Sequence, residues 1–171
     1  MTQQLNFETE RLFLKLLSKD DADFIFELVN TEGWLKFIGD RNIRSEADAL
    51  LYIQKILDNK DIIYWLVKLK NDDDKIGIIT FIKRDYLQYH DIGFAFLPRY
   101  FDKGYAYEAA MKVLEYVIPE YNLTNILATT VTANSSSIKL LTKMGLNFRE
   151  ELEIQNIKLQ VYGTSTDKLK F

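Results

Sequence analysis

The 171-residue chain reads as a single α/β domain over residues 1–171, with a mixed, mostly antiparallel central sheet flanked by helices in the order β-α-α-β-β-β-α-β-α-β-β. Three observations predict it. Apolar residues switch repeatedly between a two-residue and a 3.6-residue period, the signatures of half-buried strands and amphipathic helices. The composition is 47% hydrophobic and 13% aromatic, enough for one core, and no repeat or low-complexity linker divides it. Finally, a strand-like run stops at Pro98 and gives way to a short glycine-containing loop and an abrupt helical pattern.

Residues 12–17 fit the first strand. Ser18, with Asp21 three positions on, signals a helix start leading into Phe24, Leu28 and Val29 at helical spacing. Ser45, Glu46, Ala47 and Asp48 repeat that signal before a second amphipathic helix bearing Leu50, Leu51, Ile53, Ile56 and Leu57. Between these helices, residues 34–39 (Trp-Leu-Lys-Phe-Ile-Gly) read as an aromatic loop or short turn that either walls a substrate or caps the core. Residues 64–70 and 76–83 read as a hairpin around Asn71, Asp72, Asp73 and Asp74, where the three carboxylates are solvated turn formers rather than a metal site. Residues 90–97 form the next strand. In the helix after Gly104, a single face carries Ala106, Ala109, Ala110, Val113, Leu114 and Val117, and Pro119 is expected to end it. A strand at 126–132, a helix at 135–144 and strands at 146–152 and 157–162 complete the order.

Composition also narrows the chemistry. The absence of cysteine excludes disulfides, thiolate metal sites and an acyl-cysteine intermediate. A single histidine, His90, argues against a zinc site, so no metal is expected. The net charge of −3 argues against nucleic acid as a partner. No apolar run approaches the roughly 20 residues that cross a bilayer, and Met1, Thr2, Gln3 and Gln4 lack the basic and apolar regions of a secretory signal. A cytoplasmic protein without membrane contact is the expectation.

The junction over residues 98–110, Pro-Arg-Tyr-Phe-Asp-Lys-Gly-Tyr-Ala-Tyr-Glu-Ala-Ala, is where a pyrophosphate can sit. A helix start offers unpaired amides and the positive end of the dipole, and Gly104 with Ala106 leaves the backbone approachable. The same pattern also arises wherever glycine serves a tight turn. A second segment follows at 133–148, Ala-Asn-Ser-Ser-Ser-Ile-Lys-Leu-Leu-Thr-Lys-Met-Gly-Leu-Asn-Phe, after a β-like run. Together the two resemble the GNAT superfamily of acetyl-CoA-dependent N-acetyltransferases, with Pro98, Gly104 and Ala106 at the spacing of its pyrophosphate loop and Asn134 opening its Asn-x-x-Ser helix. The wording is closest to the RimJ/RimL-like branch of ribosomal-protein N-terminal acetyltransferases. Thr9, Glu10 and Arg11 ahead of the first strand are also similar to that branch, so the resemblance covers nearly the whole chain.

The resemblance implies a GNAT-like fold and transfer of an acetyl group from acetyl-CoA to a primary amine, by direct attack in a ternary complex. It assigns the coenzyme A grip to the backbone of Asp102, Lys103, Gly104, Tyr105 and Ala106, with Asn134 in the second block. Asp102 departs from the family pattern, and its side chain must point away from the phosphates. Phe96 falls where a splayed strand end would offer its N–H to the thioester carbonyl, while its ring alternates into the core. Ser137 maps to a candidate proton donor for the leaving thiolate and also fits a helix cap; Leu141 stands where many relatives have a tyrosine. From the residues themselves, Asp91 is the candidate for taking the amine proton, because alternation puts it on the same face as Gly93 and Ala95. His90 alternates with Ile92 and Phe94 and reads as a packed or edge histidine. Glu108 complements the helix dipole and receives no chemistry. The acceptor is a protein N-terminal α-amine or a small-molecule amine, with its groove built from residues 24–44 and those near Asn156. A homodimer is expected by analogy. The alternative is an acyl-CoA-binding regulatory module without turnover.

Overall fold

The computed structural model describes residues 5–171, so the reading of Met1, Thr2, Gln3 and Gln4 lies outside the described residues. One eight-stranded sheet runs through them. In chain order its strands are β1 (Phe7–Glu8), β2 (Leu12–Leu16), β3 (Ile62–Leu69), β4 (Lys75–Ile82), β5 (Asp91–Phe96), β6 (Asn125–Thr130), β7 (Asn147–Ile154) and β8 (Ile157–Ser165). Their order across the sheet is β1-β2-β3-β4-β5-β6-β8-β7. Every neighbouring pair is antiparallel except β5 and β6. The helices are α1 (Ala22–Val29), α2 (Glu32–Phe37), α3 (Glu46–Asp58), α4 (Tyr105–Glu120) and α5 (Ser135–Met144).

Alternation along the strands splits the apolar residues between two cores. Trp65, Val67, Ile79, Phe81 and Ile92 face α4, whose Ala109, Ala110, Val113, Leu114 and Val117 close that side. Leu66, Ile78 and Ala95 face the other way, onto α1 and α3. Each fully buried branched aliphatic side chain contributes roughly 1.5–3 kcal/mol relative to exposure. Ser45 caps α3 by accepting the Asp48 amide proton at 3.1 Å. At the other predicted start, Asp21 is buried and takes Lys15 at 2.7 Å and Lys75 at 3.1 Å, which fastens the entry of α1 to the sheet. Burial pushes the Asp21 carboxyl up, but these partners and the Ser18 amide outweigh it and hold it below the usual aspartate range.

The structure departs from the sequence reading in three places. Residues 32–37 form a short helix rather than a loop, started by Thr31, whose hydroxyl oxygen accepts the Trp34 amide proton at 3.4 Å. A two-residue strand, β1, precedes the first expected one. Pro119 does not stop α4, which runs on to Glu120. The N–H that proline lacks would have met the carbonyl of Glu115; both residues are exposed, and Pro119 is in the last turn of the helix, where only that one bond is lost.

The junction of β5 and β6 positions the site. Their register holds one pair, Asp91 with Leu127, where the Leu127 amide donates to the His90 carbonyl at 3.0 Å. Beyond it the two strands part. Because the Leu97 amide donates to Ile76 at 2.9 Å on the β4 side, alternation turns the Phe94 and Phe96 amides toward the opening.

Candidate active site

The loop before α4 is built from backbone. Gly104, the N-cap, has φ +80° and Asp102 has φ +61°, so the chain passes twice through the left-handed region. Glycine is suited to the first, and aspartate tolerates the second better than most residues. The Glu108 amide makes the first helical bond, to the Gly104 carbonyl at 3.1 Å. The amides of Tyr105, Ala106 and Tyr107 therefore lack an intrahelical acceptor and carry the positive end of the dipole. The Asp102 side chain is exposed. These donors suit a pyrophosphate.

A side-chain clasp holds this loop. Arg11 donates from Nε to one Glu108 oxygen at 2.7 Å and from Nη1 to the Lys103 carbonyl at 2.9 Å. Its guanidinium also lies 4.5 Å from the Tyr105 ring centre. The other Glu108 oxygen accepts from the Arg11 amide at 3.0 Å and from the Thr9 hydroxyl at 2.5 Å. Burial raises the Glu108 pKa, but Thr9 and Arg11 together outweigh burial and hold the carboxyl below its ordinary range. Sequence reasoning gave Glu108 only a dipole role and missed Arg11. The available signal was the position of Arg11 in the Thr9-Glu10-Arg11 segment.

A cleft of about 670 Å³ passes through the opening between β5 and β6. On the α1–α3 side it is walled by residues 34–39 and by Tyr64, Thr80, Arg84 and Asp91; on the α5 side it reaches Asn134, Ser137 and Leu141. The aromatic segment caps the core through the buried Trp34 and also lines the cleft. Thr80 occupies the space beside Gly93: a methyl group on that glycine would stand 2.5 Å from the Thr80 hydroxyl.

Asp91 is 2% exposed, and its Oδ2 accepts from Arg84 Nε at 2.6 Å. Its Oδ1 is buried and has no hydrogen-bond partner among the described residues; Trp34 Nε1 is in the same condition. Burial pushes the Asp91 carboxyl up, against the pull of Arg84. Burial equally opposes the Arg84 charge, and Asp91 more than compensates, so the guanidinium holds its proton more tightly. Tyr64 was not foreseen as a cleft residue. Burial and the Tyr52 hydroxyl 3.5 Å away raise its pKa well above the ordinary value.

The remaining sequence candidates separate cleanly. Asn134 caps α5, with its Oδ1 accepting the Ser137 amide proton at 3.2 Å, while the half-buried Ser137 also lines the cleft. Phe96 places its ring in the α4-side core, leaving only its amide at the opening. Residues 102–106 do not line the cleft. His90 stacks on Phe81 with ring centres 4.5 Å apart, outside the cleft lining, and burial and Lys83 lower its pKa. No helix among the described residues is long and apolar enough to cross a membrane.

A parted strand pair, a bare helix start and a through-going cleft are the parts an acyl-CoA transferase requires. The family model described as Acetyltransferase (GNAT) domain matches residues 11–147. The chain belongs to the GNAT acetyltransferase family and is an acetyl-CoA-dependent acetyltransferase. It is 32% identical over 143 residues to the uncharacterized N-acetyltransferase YnaD of Bacillus subtilis, covering 83% of this chain and 82% of that one. An acetyltransferase (GNAT family) from Bacillus anthracis superposes with a TM-score of 0.80 at 26% identity, over 96% of this chain and all of the other. The fold is also that of the ribosomal-protein-S5-alanine acetyltransferase from Vibrio fischeri, with a TM-score of 0.74, 21% identity and coverage of 98% and 100%. Spermidine N-acetyltransferase from Vibrio cholerae, solved with CoA and spermine, gives a TM-score of 0.79 at 17% identity, with coverage of 94% and 98%.

Proposed function

We propose that the protein transfers the acetyl group of acetyl-CoA to a primary amine by direct attack within a ternary complex. The observation that carries this reading is the cleft through the β5–β6 opening, which joins the Asp91 side to the Ser137 side. Outside that cleft, the amides of residues 102–106 and the first turn of α4 hold the pyrophosphate and Lys103 adds charge, while Asn134, in the cleft lining, shapes the start of α5 beside the cofactor. The Phe96 N–H donates to the thioester carbonyl as negative charge develops there. The buried Oδ1 of Asp91 accepts the proton of the attacking amine, its raised pKa suiting it to that task better than an ordinary aspartate. Ser137 stands where the leaving thiolate is protonated, and solvent can replace it. The whole chain acts as one domain.

Amine acceptance is supported by the N-acetyltransferase relative, and by two fold neighbours whose own acceptors are a protein alanine and spermidine. A RimJ/RimL-like relationship, a cytoplasmic location and a homodimer belong to the same reading. The test is calorimetric titration with acetyl-CoA, followed by an assay for amine-dependent release of free CoA. Binding with release is expected; binding without release from a broad amine panel would leave the regulatory-module alternative standing instead.

A further inference from the structure

The charged groups along the cleft are unevenly distributed. Lys36, Arg41, Arg84 and Asp91 are the four charged residues in its lining, three cations against one carboxylate in a chain whose net charge is −3. All four are on the side of the sheet that bears α1–α3, opposite α4 and its pyrophosphate loop. They are therefore placed for the acceptor and not for the phosphates of the cofactor.

The cations are not neutralised locally. Asp40, the acid beside Arg41, is engaged by Arg44 at 2.5 Å, and no carboxylate lies within ion-pair distance of Arg41 or Lys36 among the described residues. Lys36 instead lies over the Phe37 ring at 5.1 Å. Arg84 meets Asp91 through Nε, and its guanidinium lies 6.0 Å from the ring centre of Tyr86, another residue of the lining. Arg41 and Arg84 line the same cleft as the Tyr64 side chain. Oδ1 of Asp91 is the one unpartnered carboxylate oxygen there.

We infer that the amine acetylated by this enzyme carries a carboxylate close to its amino group. The amine goes to Asp91, and the carboxylate to Arg41 beside Arg84, with Lys36 at the rim. A polyamine has the opposite requirement, because its distal ammonium groups would face cations with no second carboxylate to receive them. The inference rests on the acetyl-transfer reading above. Free amino acids and acidic peptide N-termini share this chemistry, and the test separates them.

The probes are two matched pairs, alanine against alaninamide and Ser-Glu amide against Ser-Gln amide, together with spermidine. CoA release is measured at low salt and compared per unprotonated amine. In at least one pair the acid should be favoured by roughly tenfold in kcat/KM, shrinking as salt screens the exposed cations. The pair that shows it identifies the source of the carboxylate. Arg41→Glu should abolish or invert the preference, and Arg41→Gln should reduce it by an intermediate factor. Spermidine matching or exceeding the acids, acid and amide turning over equally, or a preference untouched by Arg41→Glu would each overturn the inference. So would acetyl-CoA binding with no turnover of any of the five amines. Failure to bind acetyl-CoA at all would instead remove the acetyl-transfer reading beneath it.

Discussion

The two faces of the sheet solve recognition differently. On the α4 face the proposed cofactor grip is backbone: amides freed by a helix start and aimed by left-handed turns at Asp102 and Gly104. On the α1–α3 face the proposed acceptor wall is side chains drawn from α2, the segment after it, β3, β4, β5 and the connection that carries Arg84. Backbone recognition tolerates changes of side chain, which is why Asp102 can depart from the family pattern. Side-chain recognition depends on each residue's identity, so the acceptor wall is where this chain can differ from its relatives.

The largest effect is expected on the acceptor face. Asp91→Asn should lower turnover by about 10²–10⁴-fold while leaving acetyl-CoA affinity unchanged, measured by steady-state kinetics beside calorimetry. Burial raises the Asp91 pKa above its ordinary 3.8, so the base form appears only above that folded value. The acid limb of kcat/KM should lie above 3.8 and vanish in the variant; a limb that survives the substitution would remove Asp91 from the proton path. The stability linkage has the matching sign. The folded state holds this proton more tightly than the unfolded chain, so the contribution of Asp91 falls as pH rises from 3.8 through the folded value.

The next test moves to the cofactor face. A methyl group on Gly104 would stand 3.3 Å from Arg11 Nη2, at a backbone φ of +80°. Gly104→Asp therefore adds backbone strain and a carboxylate that competes for Arg11, and should weaken acetyl-CoA binding by roughly a hundredfold. Unchanged affinity would mean that the cofactor is gripped elsewhere. Arg11→Ala is expected to be milder, weakening acetyl-CoA binding about tenfold by releasing the Lys103 carbonyl and Glu108. Because the Glu108 pKa is held below its ordinary 4.5, its clasp is complete above that value and should be lost as pH falls through the lower folded one. Thermal melts of wild type and Glu108→Gln should converge at low pH. The smallest effect belongs to Ser137→Ala, a loss in kcat of less than about fivefold, since water can protonate a thiolate of moderate basicity. A loss nearer a hundredfold would make Ser137 the principal acid.

The contrast between the faces also governs what could be read in advance. The Gly104 loop, the Asn134 cap and the long apolar face of α4 are short-range patterns, and each was legible. The splayed strand end at Phe96 came from the family resemblance rather than from periodicity, and the strand order around it from neither. Asp91 was reachable because strand alternation fixes its face, but its ion pair with Arg84 depends on how residues 84–90 return to β5. Arg11 and Glu108 lie 97 positions apart, and no local pattern connects them. Helix α2 was missed because its six residues, including Gly33, are too few to display a period.

By itself the sequence determined the alternation of strands and helices, the apolar face of α4, and the free amides at its start. These depend on spacing and backbone preference within a few residues, which the chain carries wherever it goes. Tertiary structure decided that Asp91 has one paired and one unpaired oxygen, that Arg11 clasps the loop, and that Lys36, Arg41 and Arg84 line one cleft. Charges interact over a few ångströms of space rather than along the chain, and only the packed sheet brings those residues within that distance.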